Sequence, residues 1–163
     1  MKIKIYIFIT LSFLVLFISG CYSMTKPYSY SYENDANRAA KLEFTYGASG
    51  ILFVDMDGRP HVEAEGAYLQ YVMLPSGRAM SLRVYIYWDN TLEGNRRRGI
   101  FECPPLEAGG EYRLRCNLKT IGIFIKRPIG DITIILEKKN QARGIIGTRY
   151  DTVYSQKVPP LPQ

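Results

Sequence analysis

Met80-Ser81-Leu82-Arg83-Val84-Tyr85-Ile86-Tyr87-Trp88 decides how this chain folds. Met80, Leu82, Val84, Ile86 and Trp88 alternate with Ser81, Arg83, Tyr85 and Tyr87. A period of two places one set on a buried face and the other on a wet face of a β-strand, whereas a helix would scatter the same apolar side chains around its axis. The β-branched and aromatic residues also suit an extended backbone.

The same period recurs on both sides of that stretch. Upstream, Leu42, Phe44 and Tyr46 alternate with Lys41, Glu43 and Thr45 until Gly47-Ala48-Ser49-Gly50 breaks the run. Ile51 to Met56 reads as the next strand, Asp57-Gly58 as a hairpin turn, and His61 to Ala64 and Ala67 to Leu74 as further strands with a bend at Gly66. Pro75-Ser76-Gly77 is a turn. Downstream, Asp89 to Gly99 has no periodicity, holds Asn90, Gly94 and Asn95, and ends in Arg96-Arg97-Arg98, so it reads as a surface loop with a basic segment at 94–99. Phe101 and Cys103 then share a face. Gly109-Gly110 turns into Tyr112, Leu114, Cys116 and Leu118, alternating with Arg113, Arg115, Asn117 and Lys119. Ile121 to Lys126 and Asp131 to Glu137 are two more strands, with a turn at Lys138 to Gln141. Arg143 to Tyr154 is either a strand or an arm. The one place for a short helix is Glu33 to Lys41, capped by Asn34 or Asp35.

These signals predict an all-β fold, an antiparallel β-sandwich of about seven to nine short strands, with a small barrel as the alternative. The segment Leu106-Glu107-Ala108-Gly109-Gly110-Glu111-Tyr112-Arg113-Leu114 resembles the strand-turn-strand step of PEGA-like and transthyretin-like immunoglobulin sandwiches. That resemblance implies a non-catalytic module of an envelope or surface protein.

The opening carries a different message. Lys2 and Lys4 precede an apolar run from Ile5 to about Ile18 that is shorter than the ~20 residues a spanning helix needs, and a small-residue site follows, the pattern of a secretory signal. Ile18-Ser19-Gly20-Cys21 resembles the lipobox of bacterial lipoproteins at all four positions. The resemblance implies cleavage before Cys21 and acylation of its thiol, which would hold the protein in the membrane. Residues 1–20 are then a removed signal peptide, 21–40 the anchor and a flexible tether, 41–154 the sandwich and 155–163 a Pro-rich tail containing Val158-Pro159-Pro160-Leu161-Pro162. Fully extended, the tether would reach roughly 60 Å at ~3.3 Å per residue. Within it Tyr28, Tyr30 and Tyr32 share one side and read as an edge strand or a stripe lying on the domain. Tyr22 after the lipidated position is no inner-membrane retention signal, so the outer membrane of a bacterial envelope is the expected location.

Loss of Lys2 and Lys4 with the signal takes the formal net charge from +6 to +4. In an oxidising compartment the two cysteines left, Cys103 and Cys116, are expected to pair, closing a loop of about 13 residues worth ~3 kcal/mol. Both fall on the apolar side of their strands. Arg96, Arg97 and Arg98, together with Arg113 and Arg115, are a candidate patch for a polyanion. The chain has one histidine. His61, Glu63 and Glu65 at alternate positions, with Asp55 or Asp57 across a turn, are a weak candidate for a divalent metal, and no cofactor is expected. No Gly-rich phosphate loop, paired CxxC or calcium-loop spacing is present.

Three functional classes follow. The first is a lipid-anchored envelope protein whose sandwich binds or associates without catalysis, its partners the membrane and an envelope protein or polyanion, and not nucleic acid. The second is a surface-exposed adhesin-like module for polyanions or host ligands. The third is a metal-dependent hydrolase.

Overall fold

The computed structural model describes residues 26–45, 49–62, 67–88, 96–122, 127–141 and 148–158. Among them are ten strands: β1 (Lys26–Ser31), β2 (Ala39–Phe44), β3 (Ser49–Met56), β4 (Arg59–Pro60), β5 (Ala67–Pro75), β6 (Met80–Trp88), β7 (Arg96–Cys103), β8 (Glu111–Ile121), β9 (Arg127–Gln141) and β10 (Thr148–Val158). They form a six-stranded sheet in the order β1-β5-β2-β8-β9-β10 and a four-stranded sheet in the order β4-β3-β6-β7, a sandwich and not a closed barrel.

The deciding stretch becomes β6, an inner strand of the four-stranded sheet. Met80, Leu82, Val84 and Ile86 are buried while Arg83 is exposed, as the alternation requires. They meet Leu42, Phe44, Leu114, Ile132, Ile134 and Leu136 of the other sheet in one core, with Phe101 at its centre. Burying such side chains is the main stabilising term of a two-layer fold. Tyr87 departs from the alternation: it faces away from the core yet is 6% exposed. Its ring lies over Gly50, where an added Cβ would come within 2.5 Å of Tyr87 Oη, so the missing side chain makes room for the ring.

Asp57 and Gly58 have φ of 51° and 73°, the pair of left-handed residues of a type I′ hairpin, and join β3 to β4. At the same end Tyr112 Oη accepts the Glu107 backbone N–H at 3.0 Å, and its ring covers Gly110. This is the tyrosine-corner device by which sandwiches lock a strand to the turn before it.

Several local expectations are corrected. The sheet is not antiparallel throughout: β1 pairs with β5 and β2 with β8 in parallel. β5 inserts between β1 and β2, which run antiparallel to each other on its two flanks, and β8 reaches β2 only after the chain has built β3 to β7. Glu33 to Lys41 forms no helix. Asp35 instead closes a turn, its carboxylate accepting Asn37 N–H at 3.0 Å and its carbonyl accepting Arg38 N–H at 2.9 Å, before β2 begins. The tether is shorter than expected, because Lys26–Ser31 is an edge strand of the sheet. The Lys138 to Gln141 turn and the Ile121 break are absent, since β8 and β9 run through both positions as 11- and 15-residue strands. Val158, assigned to the tail, ends β10, is 6% exposed and packs beside Gly99. The expected Ile121 to Lys126 strand lies largely outside the described residues.

The two sheets are closed at their open edges by side chains. At one seam Gln156 of β10 acts as a short strand for β7: Oε1 accepts Glu102 N–H at 2.8 Å and Nε2 donates to Ile100 O at 2.9 Å. At the other, the Tyr32 hydroxyl donates to Arg59 O at 2.7 Å, linking the end of β1 to β4. Burial first, then the neighbouring Tyr30 and Asp55, pushes the Tyr32 phenol up to about 12, so it remains a donor at any physiological pH.

Candidate functional site

The sequence nominated four groups of residues. Cys21 and its lipobox, Ile18 to Gly20, lie outside the described residues, as do Glu63 and Glu65.

His61 is described, and its environment is that of a packed seam residue. Nδ1 sits 3.1 Å from Val54 O and Nε2 2.9 Å from the Tyr28 hydroxyl. The ring is stacked with Tyr28 and lies against Tyr30 and Phe53, so both nitrogens are engaged and the faces are covered. The acids proposed alongside it are engaged too. Asp55, 2% exposed, accepts Arg83 Nε at 2.6 Å. Asp57 accepts Ser81 N–H at 2.8 Å and pairs with Arg78 at 2.8 Å, and these contacts, the backbone bond foremost, hold its carboxyl below the usual range. Among the described residues no three His, Cys, Asp or Glu side chains are grouped to hold a metal ion.

Cys103 and Cys116 are both free, which corrects the expected disulfide. Each lies on the inner face as predicted, but they belong to opposite ends of the sandwich. Cys103 is in register with Met80. Cys116 donates its thiol to Gly50 O at 3.7 Å, and Gly50 is in register with Tyr87. From Met80 to Tyr87 along β6 is about 23 Å at ~3.3 Å per residue, whereas a disulfide needs Cα atoms within about 7 Å. Burial raises both thiols, Cys103 to about 12, so neither is a ready nucleophile.

The five arginines of the candidate patch divide between the two outer faces. Arg113 and Arg115 of β8 lie on the outside of the six-stranded sheet and converge on Glu137 of β9. Arg113 donates to Glu137 Oε2 from Nε at 2.9 Å and from a terminal nitrogen at 2.5 Å, and Arg115 Nε donates to Oε1 at 2.8 Å. The Arg113 guanidinium also stacks 3.6 Å over the Tyr150 ring. Glu137 is 5% exposed beneath them. Burial alone would raise its pKa, but the hydrogen bonds from Arg115 and Arg113 outweigh that and hold it lowered. Most of this face is charge-matched in the same way: Lys41 with Glu43, Lys139 with Glu111, Arg149 with Asp151.

Arg96, Arg97 and Arg98 are not in a loop; they open β7. Alternation separates them, Arg97 falling on the side of Gly99, Phe101 and Cys103, and Arg96 and Arg98 facing outward. There they flank Tyr85, the cross-strand partner of Arg98. Their guanidinium carbons stand 4.9 Å and 5.7 Å from the ring centroid, and Arg98 Nε donates to the Tyr85 hydroxyl at 3.2 Å. Among the described residues neither guanidinium meets a carboxylate. Arg38, Arg78, Arg83, Arg113, Arg115 and Arg149 all do. Ile100, 56% exposed, continues the same face.

This face is a flat aromatic platform held by two outward cations, with hydrogen-bond donors left over to grip an anion. Sequence reasoning found its arginines and placed Tyr85 outward beside Arg83. It missed that Arg96 and Arg98 share Tyr85, and it missed Glu137 altogether, because both depend on the register between strands. The chain matches no family model, no curated protein and no solved structure.

Proposed function

We propose that this is a lipid-anchored protein of the bacterial cell envelope, acylated on Cys21, whose β-sandwich binds an anionic partner through Arg96, Tyr85 and Arg98 and performs no chemistry of its own. The observation that carries the binding reading is the contrast between the two outer faces. On one, Arg113 and Arg115 are neutralised by Glu137. On the other, Arg96 and Arg98 are braced by an aromatic ring and lack a described acid. A cation fixed over a ring keeps its charge and much of its hydrogen-bonding capacity for a ligand.

The non-catalytic reading is supported by how the reactive groups are used. His61 bridges β3 and β1, the thiols are buried with raised pKa values, and Asp55 and Glu137 are buried in ion pairs. The lipid anchor rests on the lipobox resemblance at Ile18 to Cys21, and its direct check is the intact mass of the protein isolated from membranes.

Heparin chromatography tests the binding face. The protein should be retained at low salt, and Arg96→Ala with Arg98→Ala should shift elution to clearly lower salt, while Arg149→Ala, whose charge is already paired, should leave it in place. Identical elution of all three proteins would remove the face from consideration.

A further inference from the structure

The register places most of the unmatched basic residues at one end of the sandwich, and the lipid anchor at that same end. β1 begins there with Lys26, opposite Ala67 at the start of β5. β9 begins there with Arg127, opposite Ile121 at the end of β8. β7 begins there with Arg96, opposite Tyr87, and β6 ends there with Trp88, opposite Ser49. Cys116 of one sheet touching Gly50 of the other fixes these as one end of the molecule. Lys119 is exposed near it. Asp131, the described carboxylate closest in sequence to these strand ends, is held by Lys157 at 3.0 Å. At the opposite end the charges are matched in pairs: Asp57 with Arg78, Glu107 with Lys138, Glu111 with Lys139, Asp35 with Arg38.

Only residues 22–25 separate Cys21 from β1. Five steps of chain span at most about 18 Å, far less than the roughly 60 Å expected of a tether running to residue 40. A domain so closely leashed cannot stand clear of the bilayer, and the end it presents is the basic one.

Resting on the reading that Cys21 is acylated and that Arg96 and Arg98 bind anions, we propose that the anionic partner is the bilayer itself. The sandwich docks end-on against acidic phospholipid head groups, with Arg96, Arg98 and Lys119 at the contact and the paired end turned away. A basic patch beside an acyl chain is the two-signal arrangement that fixes orientation as well as attachment.

The single tryptophan, Trp88, lies at the docking end and reports on it. The full acylated protein is reconstituted into vesicles of phosphatidylcholine alone or mixed with phosphatidylglycerol, each containing a lipid spin-labelled at the head group. Quenching of Trp88 should be stronger with phosphatidylglycerol and should weaken in high salt. The docked-to-undocked ratio should fall about fivefold for each of Arg96 and Arg98 replaced by Ala, the loss expected of one basic residue near an anionic surface. Equal quenching in the two lipid mixtures, or quenching untouched by Arg96→Glu with Arg98→Glu, overturns the proposal. If those variants still lose heparin retention, only the bilayer is wrong and the anion-binding face stands. An intact mass without acyl groups overturns tethered docking whatever the heparin result.

Discussion

Replacing Glu137 by Gln probes how the outside of the six-stranded sheet is held together. Glu137 is 5% exposed and accepts three hydrogen bonds from two guanidinium groups. Glutamine keeps one acceptor oxygen but turns an amide donor toward the other arginine, so at least one charged bond becomes an opposition of two donors. A hydrogen bond to a charged group contributes about 1.5–3 kcal/mol, and stranding a partner of a fully buried pair costs about 3–5 kcal/mol. Arg113 and Arg115 keep 30% and 38% of their side-chain exposure and can turn partly to water, which places the cost at about 2–3 kcal/mol. Urea unfolding followed by Trp88 fluorescence reads it directly, because a change in midpoint at constant slope is a change in stability. The pH dependence fixes the cause. The folded pKa of Glu137 is lowered below the ordinary value of 4.5, so its stabilisation is fully present above that value and disappears as the pH falls through the lowered one. The gap between wild type and Glu137→Gln should therefore be widest near neutrality and shrink in acid. A loss under about 0.5 kcal/mol, the level of an exposed pair, or a gap unchanged in acid, refutes the account.

Cys103 and Cys116 should both resist a thiol reagent in the native protein and both react once it is unfolded without reductant; failure to recover two thiols after unfolding would show that they had paired. Gln156→Leu removes the amide that bridges Ile100 O and Glu102 N, costing about 1–2 kcal/mol and exposing the β7 edge to pairing between molecules, which light scattering on heating would detect. Gln156→Glu keeps the acceptor for Glu102 N–H but sets a carboxylate against the Ile100 carbonyl. Its stability should improve as the pH falls far enough to protonate the new side chain, and a flat pH response would show that Gln156 does not seal the edge.

Much of the fold was written locally. The alternation in Met80–Trp88 fixed that strand and its inward face, Asp57-Gly58 fixed a hairpin that needs two left-handed residues, and the inward parity of Cys103, Leu114 and Ile134 follows from side chains pointing to opposite faces of a strand. These features depend on neighbours within a few residues, and the sequence displays such neighbours. The Glu33 to Lys41 helix failed at the same level because a weak local preference for a helix yielded to a turn and an edge pairing that bury Ala39, Ala40 and Leu42.

What the sequence could not determine was which strand lies beside which. Parity told both cysteines to face inward, but only the register of β7 with β6 and of β6 with β3 sets them about 23 Å apart along the sheet. Three consecutive arginines look like one patch in a string of letters. In the sandwich they divide between the two faces of β7, and cross-strand neighbours decide their use: Tyr85 braces Arg96 and Arg98, while Glu137 neutralises Arg113 and Arg115 on the far side. The electrostatics of this protein was therefore settled in the tertiary structure. Charges act through space, and in a sheet the nearest charge in space comes from another strand.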